Sequence, residues 1–270
     1  MSFEARSGDF RGLWQAVPQA EHLRNHEGGW ENGLNDDPGP SAGPYMFESW
    51  NRGESLTLVP NPEWRLEPTP TLDRIIFRFL PDSATVPDAL RNGEVDLIEA
   101  QAQIDLHQQL SEQPGLATEI LVRPAFEHLV LNLQHPIVGD LAVRQALAHA
   151  LDRNQIVETM LLPFTPEGQR LDNMIFTDVQ SPDYEPLAPE YAEADLAEAQ
   201  RILDEAGWVE GSDGVRERDG ERLTIELSTT SGNERRAQTS ELIAAQLAPA
   251  GIEVELDDCP SECLFSERLP

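Results

Sequence analysis

The sequence predicts an α/β protein built in two regions that meet near residue 124. Segments of alternating apolar residues, typical of strands, are interleaved with segments whose apolar residues recur at helical spacing. In each region a strand, a helix and a second strand follow one another closely, an order that favours parallel pairing of the two strands. We therefore expect one βαβ unit before residue 124 and another after it.

The first region is expected to start with a helix over residues 12–24, followed by turn-forming sequence up to residue 41. Gly43-Pro44-Tyr45 then opens a hairpin, with a strand at residues 46–50, a turn at 51–54 and a return strand at 55–59. Gly93 is placed to end a helix, because glycine adopts the left-handed conformation of a C-terminal cap. The remaining predicted elements are strand 72–80, helix 82–92, strand 95–98, helix 105–112 and strand 117–122.

The second region is expected to open with a strand at Glu127–Asn132. A helix from Asp140 to Met160 follows, with Asp140 as its N-cap and its apolar residues on one stripe. A helix at residues 195–206 is bounded by Asp195 and Gly207. The other predicted elements are a polar turn at 209–221, strand 223–227, helix 233–248 and strand 252–256.

The charge balance is strongly acidic. The 270 residues include 49 Asp and Glu against 19 basic residues, all of them Arg, for a net charge of -30. Such a field repels phosphate backbones and anionic membranes, so we expect no nucleic-acid partner. An acidic surface without Lys is typical of adaptation to high salt, although an Arg-favouring, GC-rich genome would also remove Lys. No apolar run approaches the ~20 residues of a membrane-spanning helix.

The cysteines, histidines and acidic loop of the sequence are weak evidence for a metal or catalytic site. Cys259 and Cys263 are consistent with a disulfide, a metal site lacking two ligands, or two ordinary thiols. His22 and His26 stand four residues apart, but the H-E-x-x-H order of metalloproteases is missing. Residues 211–217 fail the spacing of a calcium loop and are expected to form a polar hairpin. We therefore predict no cofactor and no metal.

Several short motifs occur in a recognisable order. They include SAGPY at residues 41–45, GEVD at 93–96, LDEAGW at 203–208 and STTSGN at 228–233. Between them, Asp140–Met160 reads DLAVRQALAHALDRNQIVETM. Together these motifs resemble the family 5 extracellular solute-binding proteins, the peptide- and nickel-binding components of ABC importers. The chain departs from that pattern in length, about half of the usual, and at Glu63, where the family carries Tyr before Trp.

The resemblance implies a periplasmic-binding-protein type II-like α/β fold, with portions of two lobes joined by a hinge crossing. Residues 1–123 would form part of the first lobe, and residues 124–270 the beginning of the second. The chain would be a central fragment of a monomeric binding protein that passes oligopeptides or dipeptides to a membrane permease. Such proteins work in the periplasm or outside the cell, although residues 1–10 show no signal peptide.

The resemblance also suggests site residues at the hinge crossing. Phe126, Glu127 and His128 would face the cleft between the lobes, with Glu127 accepting from a peptide ammonium. Alternatively, Glu127 is only a solvated strand residue. Asn132 is expected to form a structural hydrogen bond at the crossing.

Two further sets of residues invite a binding interpretation. Arg144 resembles a carboxylate clamp, but a structural ion pair is favoured because Arg144 lies on a helix that packs on its lobe. Trp30, Trp50 and Trp64 are expected in packed positions rather than in a cleft.

Two other functions remain open from the sequence. One is the binding of nickel chelates, opines or sugars within the same family, which metal uptake tied to His22 and His26 would favour. The other is a hydrolase with an unmarked site, which turnover lost on changing a single residue would reveal. Saturable peptide binding without turnover would favour the peptide carrier.

Overall fold

A three-stranded antiparallel sheet forms the first part of the chain. The computed structural model describes residues 39, 41–80, 83–100, 104–121, 126–166, 168–173 and 184–268. Strands β1 (Tyr45–Asn51) and β2 (Ser55–Pro60) form the expected hairpin, whose turn contains Gly53 at φ 75°. β3 (Ile75–Arg78) pairs with β2, so the strand predicted over residues 72–80 is shorter than expected.

The side chain of Asn61 fastens the end of this hairpin. Its Nδ2 donates to the carbonyls of Ser41, at 3.1 Å, and Gly43, at 2.9 Å. Trp64 donates from Nε1 to the Pro68 carbonyl, while Trp50 is half-buried. Trp30 lies outside the described residues.

The helix expected after β3 is present, but the predicted strand that follows it is not. Helix α1 (Val86–Arg91) follows a 3₁₀ turn at Ser83–Thr85 and ends before Gly93, which has φ 70°. Residues 95–98 have no strand partner, and Leu97 is 79% exposed. The backbone N–H of Val95 bonds back to the Ala89 carbonyl of the helix instead. The first predicted βαβ unit is therefore wrong.

The next helix matches its prediction within one residue. Helix α2 (Ile104–Ser111) lies where residues 105–112 were expected to be helical. Residues 117–121 form no strand, so the described part of that prediction is wrong. The described residues divide into two units between residues 81 and 82. The predicted lobe boundary at residue 124 stays a prediction.

The helix predicted over residues 140–160 is two helices. α3 (Leu141–Ala150) begins at Asp140, whose Oδ1 accepts from the Ala142 N–H at 2.9 Å as expected for an N-cap. α4 (Arg153–Met160) begins after Asp152, which accepts from the Gln155 N–H at 2.9 Å. The first helix ends at Leu151, whose backbone is extended, and Asp152 then caps the second helix.

The second predicted βαβ unit is confirmed. β7 (Thr224–Leu227) and β8 (Glu253–Leu256) pair in parallel, with Thr224 opposite Glu253. Between them lies α6 (Glu234–Leu247), capped by Asn233. α5 (Leu196–Glu205) also matches its prediction, with Asp195 as N-cap and Gly207 at φ 84°.

The core of the second unit lies between α3, α5, α6 and the strand ends. The largest side chains with less than 2% exposure are Trp208, Leu203, Leu223, Leu247, Ile252 and Val143. None of the described helices combines the length and apolar character needed to cross a membrane.

A buried arginine joins three segments beside this core. Arg216 is only 4% exposed. Its guanidinium donates to the carbonyls of Ala250, at 2.9 Å, and Trp208, at 2.7 Å, and to Asp204 Oδ1 at 2.5 Å. Arg216 belongs to a small antiparallel sheet of β4 (Val209–Glu210), β5 (Arg216–Arg218) and β6 (Glu221–Arg222). This sheet occupies the place of the predicted polar turn.

The two cysteines are joined in a disulfide. Cys259 also bridges to Thr230, which continues the parallel pairing of β7 and β8 beyond the strands. Cys263 ends the short helix α7 (Ser261–Cys263), which leads into a π-helical turn at Leu264–Arg268. Of the three possibilities that the sequence left open for these cysteines, the structure adopts the disulfide.

Candidate functional site

The segment predicted as the hinge strand is extended but unpaired. No strand in the described part of the chain pairs with residues 126–133, so the strand predicted at Glu127–Asn132 is wrong. Its apolar side chains are exposed on both sides of the backbone. They are Phe126 (40%), Leu129 (45%), Val130 (63%), Leu131 (37%) and Leu133 (61%). An extended run of this kind offers both backbone hydrogen bonds and apolar surface to a ligand or to another segment.

Glu127 is fixed by two arginines from α6. Its Oε1 accepts from Arg235 Nη2 at 2.9 Å and from Arg236 Nη2 at 3.3 Å. The Glu127 side chain remains 55% exposed, against 22% for Arg235 and 35% for Arg236. Glu127 is therefore a solvent-exposed residue that also pairs with two arginines. Both hydrogen bonds reach Oε1, so the other carboxylate oxygen can still accept from a peptide ammonium.

The other candidate residues lie along the same segment. The rings of Phe126 and His128 are tilted by 48° with centroids 5.4 Å apart. Both are exposed, so their ring faces are available to a solute. Asn132 uses Oδ1 to accept from the Gln134 N–H at 3.0 Å, and its carbonyl accepts from the His135 N–H at 3.0 Å. Asn132 thus ends the extended run in a turn, in keeping with the structural hydrogen bond expected of it.

Arg235 and Arg236 were not among the site residues predicted from the sequence. Both lie in the first turn of α6, where the helix dipole disfavours positive charge. Two arginines at such a place are conspicuous in a chain with so few basic residues. This conflict between positive charge and the helix dipole can be recognised from the sequence alone. Their partner, however, lies more than 100 positions away, at a separation of 108 residues for Arg235.

The guanidinium of Arg144 bonds to the main chain rather than to a carboxylate of the described residues. Its Nη1 donates to the main-chain carbonyls of Val138, at 3.1 Å, and Gly139, at 2.7 Å. It thereby fixes the loop that leads into α3. These bonds to the backbone take the place of the expected structural ion pair.

A cavity of about 480 Å³ lies beside α4. Its described lining residues are Asn154, Val157, Glu158, Leu162, Gly168, Gln169, Arg170, Asp172 and Tyr184. One wall is an ion-pair network in which Asp172 accepts from Arg170 Nε and lies 2.9 Å from Arg153 Nη1. Burial raises the pKa of the Asp172 carboxyl, but the hydrogen bond from Arg170 and the charges of Arg153 and Arg170 outweigh burial and hold it below its usual value.

Metal-ligating residues do not cluster within the part of the chain that the structure describes. No group of three or more His, Cys, Asp or Glu there is arranged to hold a metal ion. The pair His22 and His26 lies outside the described residues. The disulfide removes both cysteine thiols from consideration as ligands.

Comparison with known proteins agrees with this architecture. The family described as "Bacterial extracellular solute-binding proteins, family 5 Middle" matches residues 9–268. The oligopeptide-binding protein AppA of Bacillus subtilis (strain 168) is 27% identical over 246 residues, which is 89% of this chain and 43% of AppA. The nickel-binding periplasmic protein of Escherichia coli (strain K12) is 27% identical over 239 residues, covering 87% and 43% of the two chains.

A solved structure extends the agreement to the fold. The periplasmic EDTA-binding protein EppA is 27% identical and superposes with a TM-score of 0.70, covering 94% of this chain and 49% of that one. The predicted α/β fold of the type II periplasmic-binding-protein class is thereby confirmed. The chain spans less than half the length of each of these relatives.

Proposed function

This chain belongs to the family 5 bacterial extracellular solute-binding proteins, and we propose that it takes part in capturing oligopeptides or dipeptides for an ABC importer. The observation that supports this most is the family match, which extends over residues 9–268. The EDTA-binding neighbour shares the fold over 94% of the chain, so the structure agrees with the sequence match. The function is binding and delivery rather than catalysis, because solute-binding proteins release their ligand unchanged.

We further propose that Phe126, Glu127, His128 and Asn132 form part of the surface that meets the solute. Their support is the exposed, extended backbone of residues 126–133, which resembles the geometry that pairs with a peptide strand. Phe126 and His128 offer apolar and aromatic contact, and Glu127 with its arginines offers charge. Asn132 shapes the turn at the end of the segment.

The partner in this proposal is an ABC permease in the membrane, to which a monomeric binding protein delivers its solute. The place of action is the periplasm or the outer face of the cell membrane. Membership of the family supports both parts of this proposal.

A nickel chelate is the second candidate solute. The nickel-binding relative is 27% identical to this chain, the same value as the peptide-binding AppA. Sequence identity thus favours neither solute over the other. A chelate would be recognised through its carboxylate groups, because no cluster of metal ligands is present among the described residues.

Native mass spectrometry of the purified chain with a mixture of tri- to pentapeptides tests the proposal. We expect saturable, non-covalent peptide adducts and recovery of intact peptides. Phe126→Ala should weaken binding roughly tenfold, since aromatic anchors dominate such surfaces. Leu97→Ala is the matched control, because Leu97 is equally apolar and 79% exposed but lies outside the segment. Adducts of a nickel chelate without peptide adducts would favour the second candidate, and cleaved peptides would favour a hydrolase.

A further inference from the structure

Resting on the proposed solute-binding role of residues 126–133, we propose that Arg235 and Arg236 form a binding site for a carboxylate group of the solute. Glu127 is then an internal carboxylate that competes with the solute for the two guanidiniums. This assigns Glu127 a role opposite to the one suggested by sequence, in which it accepts from a peptide ammonium. The solute class that follows is one with a free carboxylate near its contact with Phe126 and His128.

The local charge around Arg235 and Arg236 favours binding of a carboxylate. At this cluster a single carboxylate is shared by two guanidiniums, although the chain has 49 acidic residues and only 19 arginines. Some other arginines have more than one acidic partner. Arg201, on the exposed face of α5, is held by two carboxylates, those of Glu198 and Glu205. The Glu127 cluster thus keeps an excess positive charge in a protein of net charge -30.

The second argument is the number of donors left open. Arg235 makes one side-chain hydrogen bond, to Glu127, and Arg236 makes two, to Glu127 and to Thr230 Oγ1 at 3.3 Å. A guanidinium has more N–H groups than this, arranged as a planar fork that fits a carboxylate. Arg236 Nε is moreover buried and has no acceptor. The pair is therefore only partly satisfied by the protein.

The other arginine pair that shares an acid shows the contrast. Arg153 and Arg170 both contact Asp172, but their remaining donors go to the main-chain carbonyls of Leu171, Tyr191 and Ala192. Those bonds fix a loop, and little donor capacity is left. No main-chain carbonyl in the described residues accepts from the guanidinium of Arg235 or Arg236. One arginine pair thus holds the fold together, and the other leaves its donors open.

The Glu127 carboxylate is also accessible to a competing solute. Glu127 is 55% exposed, and exposed ion pairs contribute little to stability, so a competing carboxylate can replace it at small cost. The cap of α6 does not depend on the two side chains. Asn233 Oδ1 accepts from the backbone N–H of Arg236 at 3.1 Å, a bond that any residue at that position retains.

Titration with succinate, followed by NMR of the arginine side-chain N–H signals, tests the site directly. We expect saturable shifts of the Arg235 and Arg236 signals in the wild type. Glu127→Gln should bind succinate more tightly by roughly three- to tenfold, the range that the loss of two exposed ion pairs accounts for. Glu198→Gln is the matched control, because it removes a carboxylate from Arg201 but leaves that arginine paired with Glu205. The same affinity in Glu127→Gln as in the wild type, or no shift at either arginine, would overturn the proposal.

A second experiment uses trialanine and its C-terminal amide, with dissociation constants from calorimetry. The wild type should prefer the free carboxylate, and the double variant Arg235→Gln/Arg236→Gln should bind both peptides equally. In Glu127→Gln, trialanine should bind more tightly while the amide is unchanged. Weaker binding of both peptides to Glu127→Gln would show instead that Glu127 contacts the ammonium, and would reject the proposal.

The two proposals fail in different ways. If neither peptide binds to the wild type while succinate shifts both arginines, the carboxylate site stands and peptide capture fails. If peptides bind but succinate leaves the two arginines unchanged and the amide binds as well as the acid, peptide capture stands and the carboxylate site fails. Unchanged circular dichroism of each variant confirms that folding is preserved.

Discussion

At the scale of single residues, a few arginines organise the polar structure of the chain. Arg216 is buried and joins α5 to the small sheet, while Arg218 stacks over the Trp208 ring at 4.3 Å and pairs with Asp140 at 2.7 Å. Because the guanidinium stays charged and offers several donors, one side chain can serve several carbonyls and carboxylates at once. Lys lacks this planar fork, so the use of Arg alone affects the structure whether it reflects salt adaptation or a GC-rich genome.

The carboxylate of Asp172 is expected to stabilise the fold in a pH-dependent way. Its pKa is lowered in the folded state, so its contribution is complete above the unfolded pKa of about 4 and is lost as pH falls through the folded value. Asp172→Asn should lower the free energy of unfolding by about 2 kcal/mol at pH 7, and the difference from wild type should shrink below about pH 4. Urea unfolding at several pH values measures this.

Asp88→Asn serves as the control for that series. Asp88 pairs with Arg91 at 2.8 Å, but the Asp88 side chain is 67% exposed, so the substitution should change stability by less than about 0.5 kcal/mol at every pH. If Asp172→Asn behaved like Asp88→Asn, the network of Arg153 and Arg170 would not be a source of stability.

At the scale of elements, the ends of helices and strands are fixed by local chemistry. Asp140, Asp152, Asp195 and Asn233 each cap a helix through a side-chain oxygen. After α6 the chain turns sharply at Gly251, with φ 80°, to enter β8. That turn brings Gly251 against Arg216, so a local turn and a buried arginine depend on each other.

A pair of glycine substitutions separates backbone strain from crowding. Gly251 and Gly214 both have positive φ, but a Cβ on Gly251 would lie 2.6 Å from Arg216 Cγ and 3.1 Å from the Gly214 carbonyl oxygen. A Cβ on Gly214 would meet nothing within 4 Å. Gly214→Ala should therefore cost about 1 kcal/mol from backbone strain alone, and Gly251→Ala about 3 kcal/mol or more. Equal losses in thermal unfolding would show that Arg216 moves aside freely.

At the scale of the whole molecule, the net charge of -30 sets the response to salt. Carboxylates spread over the chain repel one another, and this repulsion destabilises the compact state. Salt shortens the distance over which charges interact, from about 10 Å at 0.1 M to about 3 Å at 1 M. High salt should therefore favour the folded chain, and adaptation to a saline habitat stays a prediction.

Raising the NaCl concentration from 0.1 M to 2 M should increase the free energy of unfolding by about 1–3 kcal/mol at pH 7. Chemical unfolding by urea at each salt concentration measures the change. The control is the same series near pH 4.3, the isoelectric point, where the net charge is small and the increase should largely disappear. Stability that is independent of salt at pH 7 would favour the genomic explanation for the absence of Lys.

Part of the fold was determined by the sequence alone. The caps at Asp140, Asp195 and Asn233, the stop at Gly207 and the second βαβ unit were all predicted correctly. The caps and the stop depend on residues close together in the chain. The βαβ unit depends on a strand–helix–strand order, which favours parallel pairing. The family resemblance was also correct, because its motifs cover residues 41 to 256 in order, within the match at 9–268.

Tertiary structure decided the rest. Strand-like sequences occur at residues 95–98, 117–121 and 127–132, but none of these segments forms a strand. A strand exists only where a partner supplies the other half of its hydrogen bonds. The alternation of side chains does not identify that partner. Glu127 was selected from sequence, yet its charge environment is set by Arg235 and Arg236, about 108 residues further along. Electrostatic contacts depend on distance in space, so only the folded chain reveals that this carboxylate is bound to two guanidiniums.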